Sequence, residues 1–169
     1  FQFWAGQVPE SAWEEFVPPG ETCRVLMPAE PAEEPLDVGD RPFATGGRRF
    51  AASRSFWFHR VWAAFGWYDL AKDVRPRMTP EEIFARERNE RAEELGGKVV
   101  KEGVVRVGAH EGREYRLETG EGIAVERAVL VPEGPKPRLY VLLIRGPRLR
   151  AESPAVERFL NSFRPPGPR

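Results

Sequence analysis

Lys98 to Phe163 reads KVVKEGVVRVGAHEGREYRLETGEGIAVERAVLVPEGPKPRLYVLLIRGPRLRAESPAVERFLNSF, and this stretch decides the fold. Val104–Val107, Arg113–Thr119, Ile123–Val131 and Arg138–Arg145 each suit a half-buried strand. Gly108, Gly112, Gly120, Gly122, Gly134 and Gly146 punctuate them. Turns this tight join antiparallel neighbours, because a parallel crossover needs about a dozen residues or more. The stretch closes on a short helix, Ser153 to Phe163. Ser153 is its expected N-cap and Pro154 suits the first helical position. Val156, Phe159, Leu160 and Phe163 recur at i, i+3, i+4 and i+7, the core stripe of an amphipathic helix. The fold class that follows is α+β, an antiparallel sheet with helices packed on it.

Moving outward, Thr79–Leu95 is the clearest helix. Thr79 caps it, Pro80 takes the first position, Glu82 completes a capping box, and Gly96 and Gly97 end it. Ile83, Phe84, Ala92, Leu95 and the stem of Arg88 offer a packing stripe. Glu87, Glu90, Arg91 and Glu94 make the rest read as a polar cylinder lying on the surface. Upstream, Gly46-Gly47 reads as a turn, and Arg48 to Asp69 is an aromatic-rich block of two strands. If the block is extended, Phe56, Phe58 and Arg60 share one face, and Trp57, His59 and Val61 share the other. Apolar residues on both faces predict a central strand covered on two sides. Residues 28–42, rich in proline and acids, read as a surface loop, and Thr22–Met27 as a buried strand. Ser11 to Phe16 suits one helical turn.

The first residues carry Phe1, Phe3, Trp4, Trp13 and Phe16, too many large apolar groups for a terminus left in water. Pro9, Pro18 and Pro19 exclude a long regular element there. These five residues are therefore the expected protein-binding surface, on an arm spanning residues 1–20. A single domain follows over 21–164, with a fraying Pro-rich tail at 165–169. The rival arrangement folds the arm back onto its own sheet. The chain does not begin with Met, and Phe1-Gln2-Phe3-Trp4 reads like the middle of something. A soluble domain of a longer protein is expected, near a membrane through a segment outside this chain.

The chain has 169 residues and a formal net charge of zero, which removes any whole-molecule argument for nucleic acid or an anionic membrane. The charge is unevenly spread. Residues 1–40 hold nine acids and one base, whereas residues 41–78 hold eight bases and two acids. The acidic segment is expected to pack near the basic one. Cys23 stands alone, so no internal disulfide forms. It reads as a small core side chain rather than a reactive thiol.

Little of the sequence reads as chemistry. His59 and His110 are the two histidines, too few to build a metal site without carboxylates such as Asp69 or Glu114 converging on them. Ser11, Ser53, Ser55, Ser153 and Ser162 lack a nucleophile-elbow context. Gly108-x-x-x-Gly112 joins two strands and has no Lys-Ser/Thr after it, so it is no phosphate loop. Glu81-Glu82 and Glu93-Glu94 read as solvated helix charges. Arg48, Arg49, Arg54 and Arg60, interleaved with Phe50, Phe56, Trp57 and Phe58, imitate a nucleic-acid surface, but the block carries strand periodicity and must supply core.

Several motifs together resemble a known group. Trp13 and Phe16 precede a strand ending Met27-Pro28. An aromatic strand ends Trp67-Tyr68-Asp69-Leu70, and a Pro-started helix closes on Gly96-Gly97-Lys98. A Gly108-to-Glu114 hairpin and a Leu139-Tyr140-Val141 strand follow, before Val156-x-x-Phe159-Leu160-x-Ser162-Phe163. From about Trp13 to Phe163 this resembles the PsbP-like domains of poorly characterised bacterial envelope proteins. The resemblance implies an antiparallel sheet sandwiched by helices. It also implies a non-enzymatic accessory or assembly role by protein–protein contact in a larger complex, extracytoplasmic or periplasmic; the motifs and the charge point to no cofactor and no nucleic acid. Better-known relatives of that fold are non-enzymatic, and none of their functional residues can be matched here. His59-Arg60-Val61-Trp62 is bulkier than that strand normally is. The alternative is a small-ligand or lipid-binding domain using a cleft between sheet and helix.

Overall fold

The Gly-punctuated stretch forms a four-stranded meander in the computed structural model, which describes residues 13–56 and 59–167. Its strands are β6 (Lys98–Val107), β7 (His110–Thr119), β8 (Gly122–Val131) and β9 (Arg138–Gly146). Gly108, at φ 61°, takes the left-handed conformation in the turn from β6 to β7. The earlier strands are β1 (Glu14–Phe16), β2 (Val25–Met27), β3 (Ala32–Glu34), β4 (Ala44–Phe56) and β5 (His59–Leu70). Between β5 and β6 lie α1 (Val74–Arg77) and α2 (Pro80–Leu95), and α3 (Pro154–Ser162) ends the domain.

Seven strands form one antiparallel sheet in the order β3-β4-β5-β9-β8-β7-β6. The chain leaves the middle of the sheet after β5, crosses by way of α2 to the far edge, and walks back until β9 pairs with β5. Strands β5 and β9 are therefore central and covered on both faces. On one face Phe65, Trp67, Tyr140, Leu142 and Ile144 meet α3 and the β1–β2 ribbon. On the other, Tyr68, Leu139, Val141 and Leu143 belong to the core under α2. The α+β class, the antiparallel order and the packing of both long helices on the sheet follow the sequence expectation.

The helices form where their caps predict. Thr79 Oγ1 accepts from the Glu82 amide at 3.2 Å, and Gly96 ends α2 in the left-handed conformation at φ 58°. Ser153 precedes α3 but does not cap it through its side chain; its Oγ accepts instead from the Arg150 amide at 3.0 Å. Ser162 ties α3 to the ribbon: its Oγ accepts from the Leu26 amide at 2.9 Å and donates to the Phe159 carbonyl at 2.7 Å.

Other expectations need correction. Gly46 and Gly47 do not turn the chain but lie inside β4, where a Cβ on Gly47 would collide with the Trp67 carbonyl. The alternation expected from Phe56 to Val61 straddles the end of β4 and the start of β5. Trp57 and Phe58 lie outside the described residues. Glu14–Phe16 is a strand paired with Val25–Met27, not a helical turn, and Ser11 lies outside the described residues. The loop 28–42 contributes the short edge strand β3.

The uneven charge resolves locally. Glu33 meets Arg48 in a two-pronged pair at 2.8 and 2.9 Å, and Glu34 meets Arg49 at 3.5 Å. Just before β2, Glu21 takes a two-pronged bond from Arg138 at 2.8 and 3.0 Å, with the guanidinium stacked over Trp67. The Arg138 hydrogen bond and charge hold the Glu21 carboxyl below its ordinary value of 4.5. A depressed acid stabilises fully above its unfolded value and loses that contribution as pH falls. Glu21 therefore contributes fully above about pH 4.5 and progressively less below it. Glu21→Gln is expected to flatten this acid limb in urea midpoints measured against pH. A limb as steep as that of the parent protein would show that the clasp does not carry it.

Candidate functional site

The residues expected to carry attachment divide. Phe1, Phe3 and Trp4 lie outside the described residues. Trp13 is buried in the core under α3, and Phe16 is half-buried, its ring 5.0 Å from that of Phe50. Pairing of β1 with β2 draws both into the domain, Trp13 into the core and Phe16 against Phe50, while Glu14, Glu15 and Val17 stay exposed. Cys23 is fully buried, and desolvation pushes its thiol up to about 11. The topology sets His59 and His110 at opposite ends of the sheet, on β5 and β7 with two strands between them.

Two polar constellations were not anticipated. The first is sealed under α2. Arg91 donates from Nε to Glu126 Oε2 at 2.8 Å, from Nη1 to Glu94 at 2.8 Å, and from Nη2 to Glu87 at 3.2 Å and to the Tyr68 hydroxyl at 3.3 Å. Arg41, from the loop before β4, donates from Nε to Glu87 and from Nη1 to Glu94 at 2.7 Å, and lies over the Tyr68 ring. The side chains of Glu87, Glu126 and Arg41 have no exposed surface. Burial and the neighbouring Glu87 charge raise the Glu126 carboxyl well above the usual carboxylate range. Burial would raise Glu87 too, but the charges of Arg91 and Arg41 and a hydrogen bond from Glu126 outweigh it and hold Glu87 low. Of the two, Glu126 is the one held toward its neutral form. Its Oε1 accepts from no donor, which suits an acid proton directed at Glu87. Arg41 and Arg91 both reach Glu87 and the partly exposed Glu94.

This cluster joins α2, β5, β8 and the 35–43 loop. It admits no reactant: the crevice beside it, lined by Arg49, Gly66, Arg91 and Val141 among others, measures about 20 Å³. Perturbed carboxyls mark catalytic sites only where they face a cleft. Here they fix an interface between elements.

The second constellation is open. Trp62 on β5 pairs across the sheet with Arg145 on β9. The Arg145 guanidinium lies 4.4 Å from the Trp62 ring centre, and that of Arg49 on β4 lies 5.1 Å from it. Arg60 stands on the same face and donates to Ser53 Oγ at 3.2 Å. Arg60, Trp62 and Arg145, with Thr119, Glu121, Ile123 and Pro147, line a groove of about 530 Å³ at the sheet end where β7 turns into β8. Trp62 is half-buried and Arg60 exposed. Among the described residues no carboxylate forms an ion pair with Arg60 or Arg145. The groove arises because α2 covers the β6–β8 side of this face, while the 35–43 loop covers only the opposite end of β4 and β5.

No protein-family model matches this chain, and no curated protein matches it. The chain is an α+β domain with an open groove lined by Arg60, Trp62 and Arg145.

Proposed function

We propose that this is a non-enzymatic accessory or assembly domain of the PsbP-like kind, acting by protein contact in a larger envelope-associated complex. Its contact site is the Arg60–Trp62–Arg145 groove, and the occupant is an acidic segment of the partner. One observation carries this: the Arg145 guanidinium stacks on Trp62 in an open groove that Arg60 also lines, and among the described residues neither arginine forms an ion pair, although Glu121 stands at the groove wall. Arginine presents a planar fork matched to carboxylates, and its stacking on Trp62 holds that fork in place. Arginine and tryptophan are also the residues that dominate binding energy at protein interfaces.

The PsbP-like assignment draws support from the antiparallel sheet with α2 on one face and α3 on the other. The alternative, an apolar small molecule between sheet and helix, has little room. The crevice there is about 20 Å³, whereas such sites take roughly 300–1,000 Å³.

The test is titration with an oligo-glutamate peptide at low salt. The parent protein is expected to bind it, with inorganic phosphate competing only weakly. Arg60→Glu/Arg145→Glu is expected to weaken binding at least about tenfold, the scale of losing a charge-assisted contact, with an unchanged circular dichroism spectrum. Equal binding by the double variant, or none by the parent, overturns the reading. Preference for a phosphate-backbone oligonucleotide over the peptide does so too.

A further inference from the structure

The two edges of the sheet differ. At one edge, β3 covers only Arg49–Ala51 of β4. At the other, all of β6 is open along its outer side. Unpaired edge strands invite pairing with another chain, and proteins usually blunt them with lysine or a bulge. The first part of β6 is blunted so: Lys98 and Lys101 lie there, with a register shift between Val99 and Lys101. The second part, Glu102-Gly103-Val104-Val105-Arg106, pairs regularly with β7. At its centre Val104 is 70% exposed, a large apolar side chain held in water.

We propose that this edge pairs with β6 of a second copy of the chain, antiparallel, about a two-fold axis through Val104. The sequence around Val104 is self-complementary. In that register Val104 faces its own symmetry mate, and Glu102 faces Arg106 of the second copy twice over. Glu102, Val104 and Arg106 are alternate residues and share the α2 face of the sheet, so side chains and charges meet on one side. A two-fold contact requires a surface that complements itself, and this five-residue pattern does. Opposite charges directly across an antiparallel pair stabilise it, and like charges oppose it. The other registers are poorer: an axis at Glu102 sets Glu102 against its mate, and one at Lys101 sets lysine against lysine. Glu102 already contacts Arg88 at 2.8 Å, which holds its carboxylate at the edge. The product is one continuous sheet running through both copies, with their α2 helices on the same face. This interface is remote from the Arg60–Trp62–Arg145 groove and does not depend on it.

The experiment is sedimentation equilibrium over a range of protein concentrations, with circular dichroism to confirm that each variant folds. The parent protein is expected to approach twice its chain mass of 19.2 kDa. Glu102→Arg and Arg106→Glu each place like charges across the axis and are expected to weaken dimerisation at least about tenfold. Val104→Lys, which sets two ammonium groups on the axis, is expected to do the same. The double variant Glu102→Arg/Arg106→Glu restores opposite charges and is expected to recover dimerisation. A parent protein monomeric at every concentration overturns the proposal. So does a dimer indifferent to all three single variants, which would use another surface, or a double variant no better than the singles.

Discussion

Arg91→Ala is expected to lower the free energy of unfolding by about 3–5 kcal/mol, the cost of removing one partner from a buried charge cluster. Arg91 reaches Glu87, Glu94, Glu126 and the Tyr68 hydroxyl together. Without it Arg41 is the remaining cation on Glu87 and Glu94. Alanine offers Glu126 Oε2 no donor in return. Glu126→Gln is the control. If Glu126 carries the proton, glutamine copies it: the amide donates toward Glu87 and its oxygen still accepts from Arg91. That variant is expected to stay within about 1 kcal/mol of the parent below the ordinary carboxyl value of 4.5, where Glu126 is protonated folded and unfolded alike, the net scale of one rearranged hydrogen bond. The pH dependence separates the two further. A carboxyl raised on folding contributes stability that is fully present below its unfolded value and lost as pH rises toward the folded one. Glu126→Gln should therefore gain on the parent as pH increases. Urea denaturation at several pH values reads all of this. An Arg91→Ala midpoint equal to the parent's would show the cluster to be energetically idle. A Glu126→Gln variant as damaged as Arg91→Ala would show Glu126 to be ionised.

The parts of the fold that were legible share a property: their signal is local. Each β6–β9 turn is written in a glycine, the α2 caps in Thr79 and Gly96, and the α3 stripe in four apolar residues. The cluster under α2 was not legible because its signal is pairwise and distant. Glu87 and Arg91 stand four residues apart on α2, one turn below Ile83 and two turns, and both are buried. Apolar periodicity reads such residues as the solvated side of a helix. Their partners lie on β8 and in the loop before β4, far along the chain. One clue was present. Glu126 interrupts the run GIAVERAVLV on the same face as Ala124 and Ala128. An acid flanked by small apolar residues on a covered strand face demands a cation from the element above it. The aromatics at Trp13 and Phe16 misled for the opposite reason. Their composition was read correctly as needing cover, but the cover is the α3 face of their own sheet, supplied by a three-residue pairing too short to announce itself. The groove needed Arg60 and Arg145 to arrive side by side. That follows only from β9 inserting beside β5, a choice of topology rather than of residues.

Phe159→Ala is expected to cost about 3–5 kcal/mol, the range for truncating a buried aromatic. Phe159 has no exposed surface and belongs to the core of Phe65, Tyr140, Leu160 and Phe163. The nine residues of α3 are too few to be helical alone, so the helix exists because this face is docked. The Phe159 carbonyl also receives the Ser162 hydroxyl, whose oxygen takes the Leu26 amide. A shift of the helix backbone at Phe159 would therefore loosen the β1–β2 ribbon that covers Trp13. Collapse of the neighbouring rings can recover part of the lost contact, which is why the expected cost spans a range. Chemical denaturation measures the total, and amide exchange locates it. Protection should fall in α3 and at Leu26 together, because one hydrogen-bonded link joins them. A denaturation midpoint equal to the parent's would mean that α3 is not docked. Exchange that quickens in α3 while Leu26 stays protected would mean that the ribbon is held by the sheet alone.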